Sequence, residues 1–151
     1  LARKTGQFYP SDEQTRARVD SWLFWQMAGL GPSSGQVNWF TRVAAKPETP
    51  PEASAYALGR FRRETHRLFG VLERGLGGRD YLAGAYSIAD MCCWPWIEKY
   101  PQNGGGLDEF PQLKAWHARI AGRPAVHRAL EAGLDQLDLS PQIRAKFRGK
   151  S

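Results

Sequence analysis

Apolar positions recur along this chain at helical spacing. From Asp12 onward, Val19, Trp22, Leu23, Gln26, Met27 and Leu30 fall on one side of a helix. Phe24 and Trp25 stand off that stripe. A helix that is apolar on more than one side is buried on more than one side. Two arrangements meet that condition: an interior helix of a bundle, or a helix with one side on its own core and the other on a cleft or second domain. Gly29, Gly31 and Pro32 are expected to bend or interrupt it, because proline has no backbone N–H to donate. A proline-rich connector at 46–51 then leads into a second long helix, expected from about Glu52 to Gly75. Its apolar stripe is Leu58, Phe61, Thr65, Leu68, Phe69, Leu72 and Leu76, and Arg60, Arg63, Arg67 and Arg74 share the opposite side. Gly77-Gly78 stops it.

The third element opens on the most specific local signal. Ser87 and Asp90 have the spacing of an N-cap and an N3 residue, a capping box with Asp where Glu or Gln is usual. Tyr86 and Met91 stand where a hydrophobic staple would close around it. A nucleophilic serine needs a hydrogen-bonded base, and no histidine is near in sequence, so the cap is preferred. The helix it starts runs from Ile88 to about Tyr100. It is apolar on every side and carries Pro95, which marks it as the central, kinked helix of the fold. A loop at 102–106 comes next. A fourth helix turns Phe110, Leu113, Trp116 and Ile120 inward, and Pro124 is placed to open a fifth. Without strand-like alternation or an internal repeat, the expected fold is an all-α bundle of about five helices. Its helical domain is expected over 11–135, with a basic tail at 136–151.

Composition narrows the function. The 151 residues are 42% hydrophobic and 24% charged, an ordinary globular balance in which no apolar run approaches the ~20 residues of a membrane span. The two cysteines, Cys92 and Cys93, are adjacent, so they form no disulfide framework. They are read as small core residues in a reducing, cytoplasmic setting. The net charge of +6 and the arginine stripe raise the question of nucleic-acid binding. The aromatics, however, lie in apolar stripes rather than among the basic residues, and that reading is set aside. His66, His117 and His127 are scattered, so no metal site is expected. No phosphate-binding glycine loop occurs.

Tyr81-Leu82-Ala83-Gly84-Ala85-Tyr86-Ser87-Ile88-Ala89-Asp90 resembles the capping motif of the glutathione transferase C-terminal domain. Phe110-Pro111-Gln112-Leu113, Trp116, Arg119-Ile120 and Arg123-Pro124-Ala125-Val126 are similar to that family's last conserved stretch. Trp22-Leu23-Phe24-Trp25-Gln26-Met27-Ala28-Gly29-Leu30-Gly31-Pro32, with Gly35-Gln36, resembles the Nu class, the bacterial glutathione-dependent disulfide-bond oxidoreductases. The resemblance runs from Leu1 to about Leu134.

That resemblance implies a fold and a task. Members carry an N-terminal thioredoxin-like domain that holds most of the glutathione site, and residues 1–10 look like its last helix and linker. Catalytic residues are therefore expected outside this chain, which alone would be catalytically incomplete. Arg60 matches an arginine that helps bind the glutathione carboxylate; the plain alternative is one more solvated arginine of the stripe. Trp25, Ser33, Gln36 and Trp39 match the side of the first helix that faces the substrate cleft. Val37-Asn38-Trp39 replaces a segment that often carries a histidine pair, which leaves substrate preference open. Glutathione is the implied co-substrate, a small disulfide or electrophile the implied partner, and a homodimer the implied assembly. The competing expectation is a transferase-like bundle kept as a protein-interaction module without catalysis.

Overall fold

The computed structural model describes residues 1–44, 46, 50–98 and 106–136. The chain divides into two units, Leu1–His117 and Ala118–Ser151. The expected end of the third helix at Tyr100, residues 102–105 of the expected loop and the basic tail from Leu137 lie outside the described residues. Among the described residues the only strand-like feature is an isolated bridge between Ala83 and Ala85, and the fold is all-α.

The first unit begins with a short helix, α1 (Ala2–Thr5). The segment after it is tied down by specific contacts. Tyr9 is buried, and its hydroxyl donates to the Asp20 carboxylate, with the two oxygens at 2.8 and 2.9 Å. The guanidinium groups of Arg3 and Arg16 sit 5.5 and 5.4 Å from the centre of its ring, within cation–π range. The Phe8 carbonyl accepts from the backbone N–H of Ile88 at 3.0 Å.

Helix α2 (Glu13–Trp25) starts at Asp12, whose carboxylate accepts from the Thr15 backbone N–H at 2.8 Å. That bond holds the Asp12 carboxyl below its usual range. The glycines and Pro32 do not interrupt the helical path. The chain stays helical through a π-turn at Gln26–Leu30 into α3 (Gly31–Ala44). Within the π-turn the N–H of Gly31 reaches the Gln26 carbonyl, five residues back. The ladder therefore restarts at Gly31, and Pro32 falls in a first turn, where its missing N–H costs little. Val19, Gln26 and Leu30 are buried, and at 100° per residue they lie within about 40° of one another. Met27, expected on the buried stripe, is 69% exposed because it sits at the margin of this narrower strip.

Helix α4 (Pro51–Leu76) matches its expected stripe closely. Thr65, Leu68, Phe69, Leu72 and Leu76 are buried, Leu58 and Phe61 half-buried, and Arg60, Arg63, Arg67 and Arg74 exposed. It packs along α3, with the Phe40 and Phe61 rings stacked at 6.0 Å. Gly77 ends it in a left-handed conformation, φ 51°. Two residues earlier, Gly75 lies under the Trp22 ring, and a Cβ built there would stand 2.4 Å from a ring carbon.

Helix α5 (Ile88–Glu98) is central, with α2, the π-turn and α3 around it. Ala89, Asp90, Cys93, Trp94 and Ile97 are buried, while Pro95 points outward. Cys92 and Cys93 are free thiols. The side chains of Ser87 and Asp90 build the start of this helix. Asp90 Oδ2 accepts from the Ser87 backbone N–H at 3.0 Å and from the Ser87 hydroxyl at 3.2 Å, and Ser87 Oγ accepts from the Ala89 N–H at 3.3 Å. Ser87 thus serves the N2 amide, two residues on. The other oxygen, Oδ1, accepts from Leu82 N at 3.0 Å and from Trp116 Nε1 at 2.8 Å. The Tyr86 ring meets Phe8 edge-on and tilts against Tyr81.

Helix α6 (Pro111–Ala121) is held at its start from a distance. The Glu73 carboxylate, on α4, accepts from the backbone N–H groups of Gln112 at 3.1 Å and Leu113 at 2.8 Å. An anion there also meets the positive end of the helix dipole. Replacing Glu73 with alanine is expected to cost about 1–2 kcal/mol, the range of a lost charge-assisted cap. Hydrogen exchange should then speed up at Gln112 and Leu113 before it does in α5. Trp94 stacks on His117 at 5.3 Å, and its indole N–H donates to the His117 carbonyl at 3.1 Å. In the second unit, the N–H groups of Val126 and His127 reach the Arg123 carbonyl, and α7 (Pro124–Gln136) begins at the expected proline.

Candidate anion-binding cleft between α3 and α4

The arginine stripe of α4 does not lie on a featureless surface. Arg60, Phe61, Arg63, Glu64 and Arg67 line an open cleft of about 550 Å³, and Ser33 of α3 closes its other side. Helical spacing explains the grouping, since residues 60, 63, 64 and 67 lie on adjacent turns of one face. Ser33 reaches the cleft because α3 packs along α4. The serine is buried, whereas the guanidinium groups stand in solvent.

Three guanidinium groups face one carboxylate, which makes the cleft cationic. Arg67 holds Glu64 in a fork, Nε and Nη2 donating at 2.9 and 2.7 Å. The Arg67 hydrogen bonds hold the Glu64 carboxyl below its usual range, and the same contact raises the Arg67 pKa. Arg60 lies 5.3 Å over the Phe61 ring, which leaves its donor edge available to a ligand. A guanidinium beside a half-buried aromatic wall is suited to a carboxylate on an organic body. No thiol or imidazole lines the cleft, so its own side chains are equipped for binding rather than for nucleophilic chemistry.

Of the residues expected at the site, Arg60 and Ser33 come together here. Trp25, Gln36 and Trp39 are not among the lining residues. Trp25 packs edge-on against Trp22 at 5.2 Å, Gln36 is exposed, and Trp39 is 57% exposed on the outer side of α3. Arg63, Glu64 and Arg67 join the cleft without having been expected there. The signal for the two arginines is their helical spacing from Arg60, which marks a solvated stripe equally well. Among the described residues no group of three His, Cys, Asp or Glu side chains is placed to hold a metal ion.

Known proteins match this architecture. The glutathione S-transferase C-terminal domain family matches residues 39–124. The disulfide-bond oxidoreductase YfcG of Escherichia coli K12 is 44% identical over 131 residues, covering 86% of this chain and 58% of its own length. The crystal structure of a Burkholderia graminis glutathione transferase, with two glutathione molecules bound per subunit, superposes with a TM-score of 0.76 at 34% identity. That match covers 92% of this chain and 57% of the other. A Pseudomonas putida glutathione transferase with one glutathione disulfide bound per subunit gives 0.73 at 34% identity, covering 85% and 56%. The chain thus spans somewhat more than half the length of these relatives. The capping box, the helix order and these likenesses agree: this chain belongs to the glutathione S-transferase family, through its C-terminal helical domain.

Proposed function

We propose that this chain is the helical part of a glutathione-dependent disulfide oxidoreductase or transferase, and that its cleft holds a carboxylate of glutathione. The observation that carries the reading is the joint placement of Arg60 and Ser33 in one cationic cleft. Arg60 pairs with the carboxylate, Ser33 offers a hydroxyl donor, and Phe61 flanks the peptide body. In the whole protein, glutathione thiolate attacks a disulfide sulfur, forming a mixed disulfide and releasing the other sulfur as a thiolate, or attacks another electrophile to form a thioether as that electrophile's own leaving group departs. Thiolate formation belongs to a thioredoxin-like domain that precedes the helical domain, with residues 1–10 as its end and linker, residues 11–135 as the helical domain and 136–151 as a basic tail. This bundle binds and orients; it supplies no nucleophile.

A homodimer and a cytoplasmic setting belong to the same reading. Phe24 at the end of α2 and Met27 in the π-turn, 75% and 69% exposed, support a covered face in the assembled protein. No helix among the described residues is long and apolar enough to cross a membrane.

The test is calorimetric titration of the full-length gene product with glutathione. Arg60→Ala is expected to weaken binding about tenfold, the scale of one charge-assisted hydrogen bond. Arg74→Ala, on the same stripe but outside the cleft, should leave it unchanged. Equal affinity in Arg60→Ala and the wild type would remove the cleft from the glutathione site. The interaction-module reading, with a stable protein partner in place of catalysis, would then take over.

A further inference from the structure

Cys92 and Cys93 stand side by side on the central helix, and the glutathione reading uses neither. Their sulfurs are 3.9 Å apart. Two sulfurs held at about 2.3 Å on one pyramidal centre are separated by roughly 3.5 Å, a few tenths of an ångström less, which a small side-chain rotation supplies. A direct S–S bond needs about 2.05 Å and a Cβ approach that neighbouring residues of an intact helix do not offer. The pair is therefore spaced for a bridging atom rather than for its own disulfide.

Burial orders the two sulfurs. Cys93 is fully buried and Cys92 half-buried, with Cys92 Sγ donating to the Ala89 carbonyl at 3.2 Å. Hydrogen bonding from Cys93 lowers the Cys92 thiol pKa, while the same contact and burial push Cys93 well up. A metal ion such as zinc would need two more ligands, and among the described residues no third His, Cys, Asp or Glu completes a set. Asp90, two residues before Cys92, already accepts from Leu82, Ser87 and Trp116. The bound atom must be one that two sulfurs satisfy.

We propose that Cys92 and Cys93 form a binding site for monosubstituted trivalent arsenicals, with the arsenic bridging the two sulfurs. The Cys92 sulfur attacks the arsenic of an R–As=O compound, its proton passes to the oxygen, and an S–As bond replaces the S–H bond. The Cys93 sulfur then displaces the resulting hydroxyl, which leaves as water with the Cys93 proton. Two S–H bonds and one As=O bond are exchanged for two S–As bonds and one water; arsenic stays trivalent and no sulfur is oxidised. The organic substituent fills the remaining position. Two sulfurs fixed on one helix turn should outcompete separate monothiols, because the second bond forms intramolecularly.

The probe is phenylarsine oxide, added to the folded chain in the presence of excess glutathione and followed by intact-mass spectrometry. The expected product is one arsenical per chain, less one water, resistant to glutathione and released by dithiothreitol. Cys92→Ala and Cys93→Ala should each reduce the glutathione-resistant adduct at least about tenfold, since each leaves a single sulfur. Circular dichroism checks that each variant is folded, and the half-buried Cys92 position keeps the test decisive if Cys93→Ala does not fold. An adduct that persists in Cys92→Ala, binds twice per chain, or forms only after denaturation overturns the site.

Discussion

Replacing Asp90 with alanine is expected to destabilise the chain by about 4 kcal/mol, read from the shift of its denaturant unfolding midpoint. The carboxylate is fully buried and joins three separate stretches of chain. It receives the Leu82 amide before the turn, the Ser87 amide and hydroxyl at the start of α5, and the Trp116 indole from α6. Alanine leaves these buried donors without their acceptor, and each unsatisfied group costs about 1–3 kcal/mol. Ser87→Ala removes only the local part of the cap and should cost about 1 kcal/mol. Asp90→Asn keeps one oxygen and should fall between the two. If Asp90→Ala and Ser87→Ala prove equally mild, Asp90 is a local cap and not the joint of the fold.

Gly75→Val is expected to cost about 3 kcal/mol, because overpacking against a rigid ring outweighs any gain in helix propensity over glycine. Trp22 lies directly over this glycine, and an added Cβ would stand 2.4 and 2.5 Å from two of its ring carbons. Neither α4 backbone nor indole yields cheaply, since Trp22 is itself half-buried and packed on Trp25. A clash of this kind should show strong coupling in a double-mutant cycle: in a Trp22→Ala background the cost of Gly75→Val should fall to within about 1 kcal/mol of zero, the scale of the propensity difference alone. A cost that is unchanged in that background would mean the glycine serves the helix end at Gly77 and not the contact with α2.

Much of this was legible in the sequence, and the rest was not, for physical reasons. The α4 stripe could be read because one long helix against one core obeys a single period, and Thr65, Leu68, Phe69, Leu72 and Leu76 are all buried. Ser87 and Asp90 could be read because a capping box is local: donor and acceptor stand three residues apart. The reach of Asp90 to Trp116 and of Glu73 to the start of α6 could not, since each bond crosses between elements with no local trace. The Gly29–Pro32 segment was legible in part: the α-ladder does give way there, to a π-turn at Gln26–Leu30, but the chain stays helical because Pro32 falls in the first turn of the ladder that restarts at Gly31. In the cleft, Arg60 stood out by resemblance alone. Arg63 and Arg67 became neighbours of Ser33 only when α3 was laid along α4.

The π-turn also sets the phase of everything beyond it. Each residue advances an α-helix by about 100° but the wider π-turn by only about 80°, so winding the same five residues, Gln26–Leu30, as ordinary α-helix would turn α3 through roughly a quarter of a revolution about its axis. α2 faces α5 and α3 faces α4, and that handover of partners depends on the one-residue offset. With the offset gone, Ser33 would swing out of the arginine cleft and Phe40 off Phe61. In this chain, the length of one turn decides which face of a helix meets the arginine stripe.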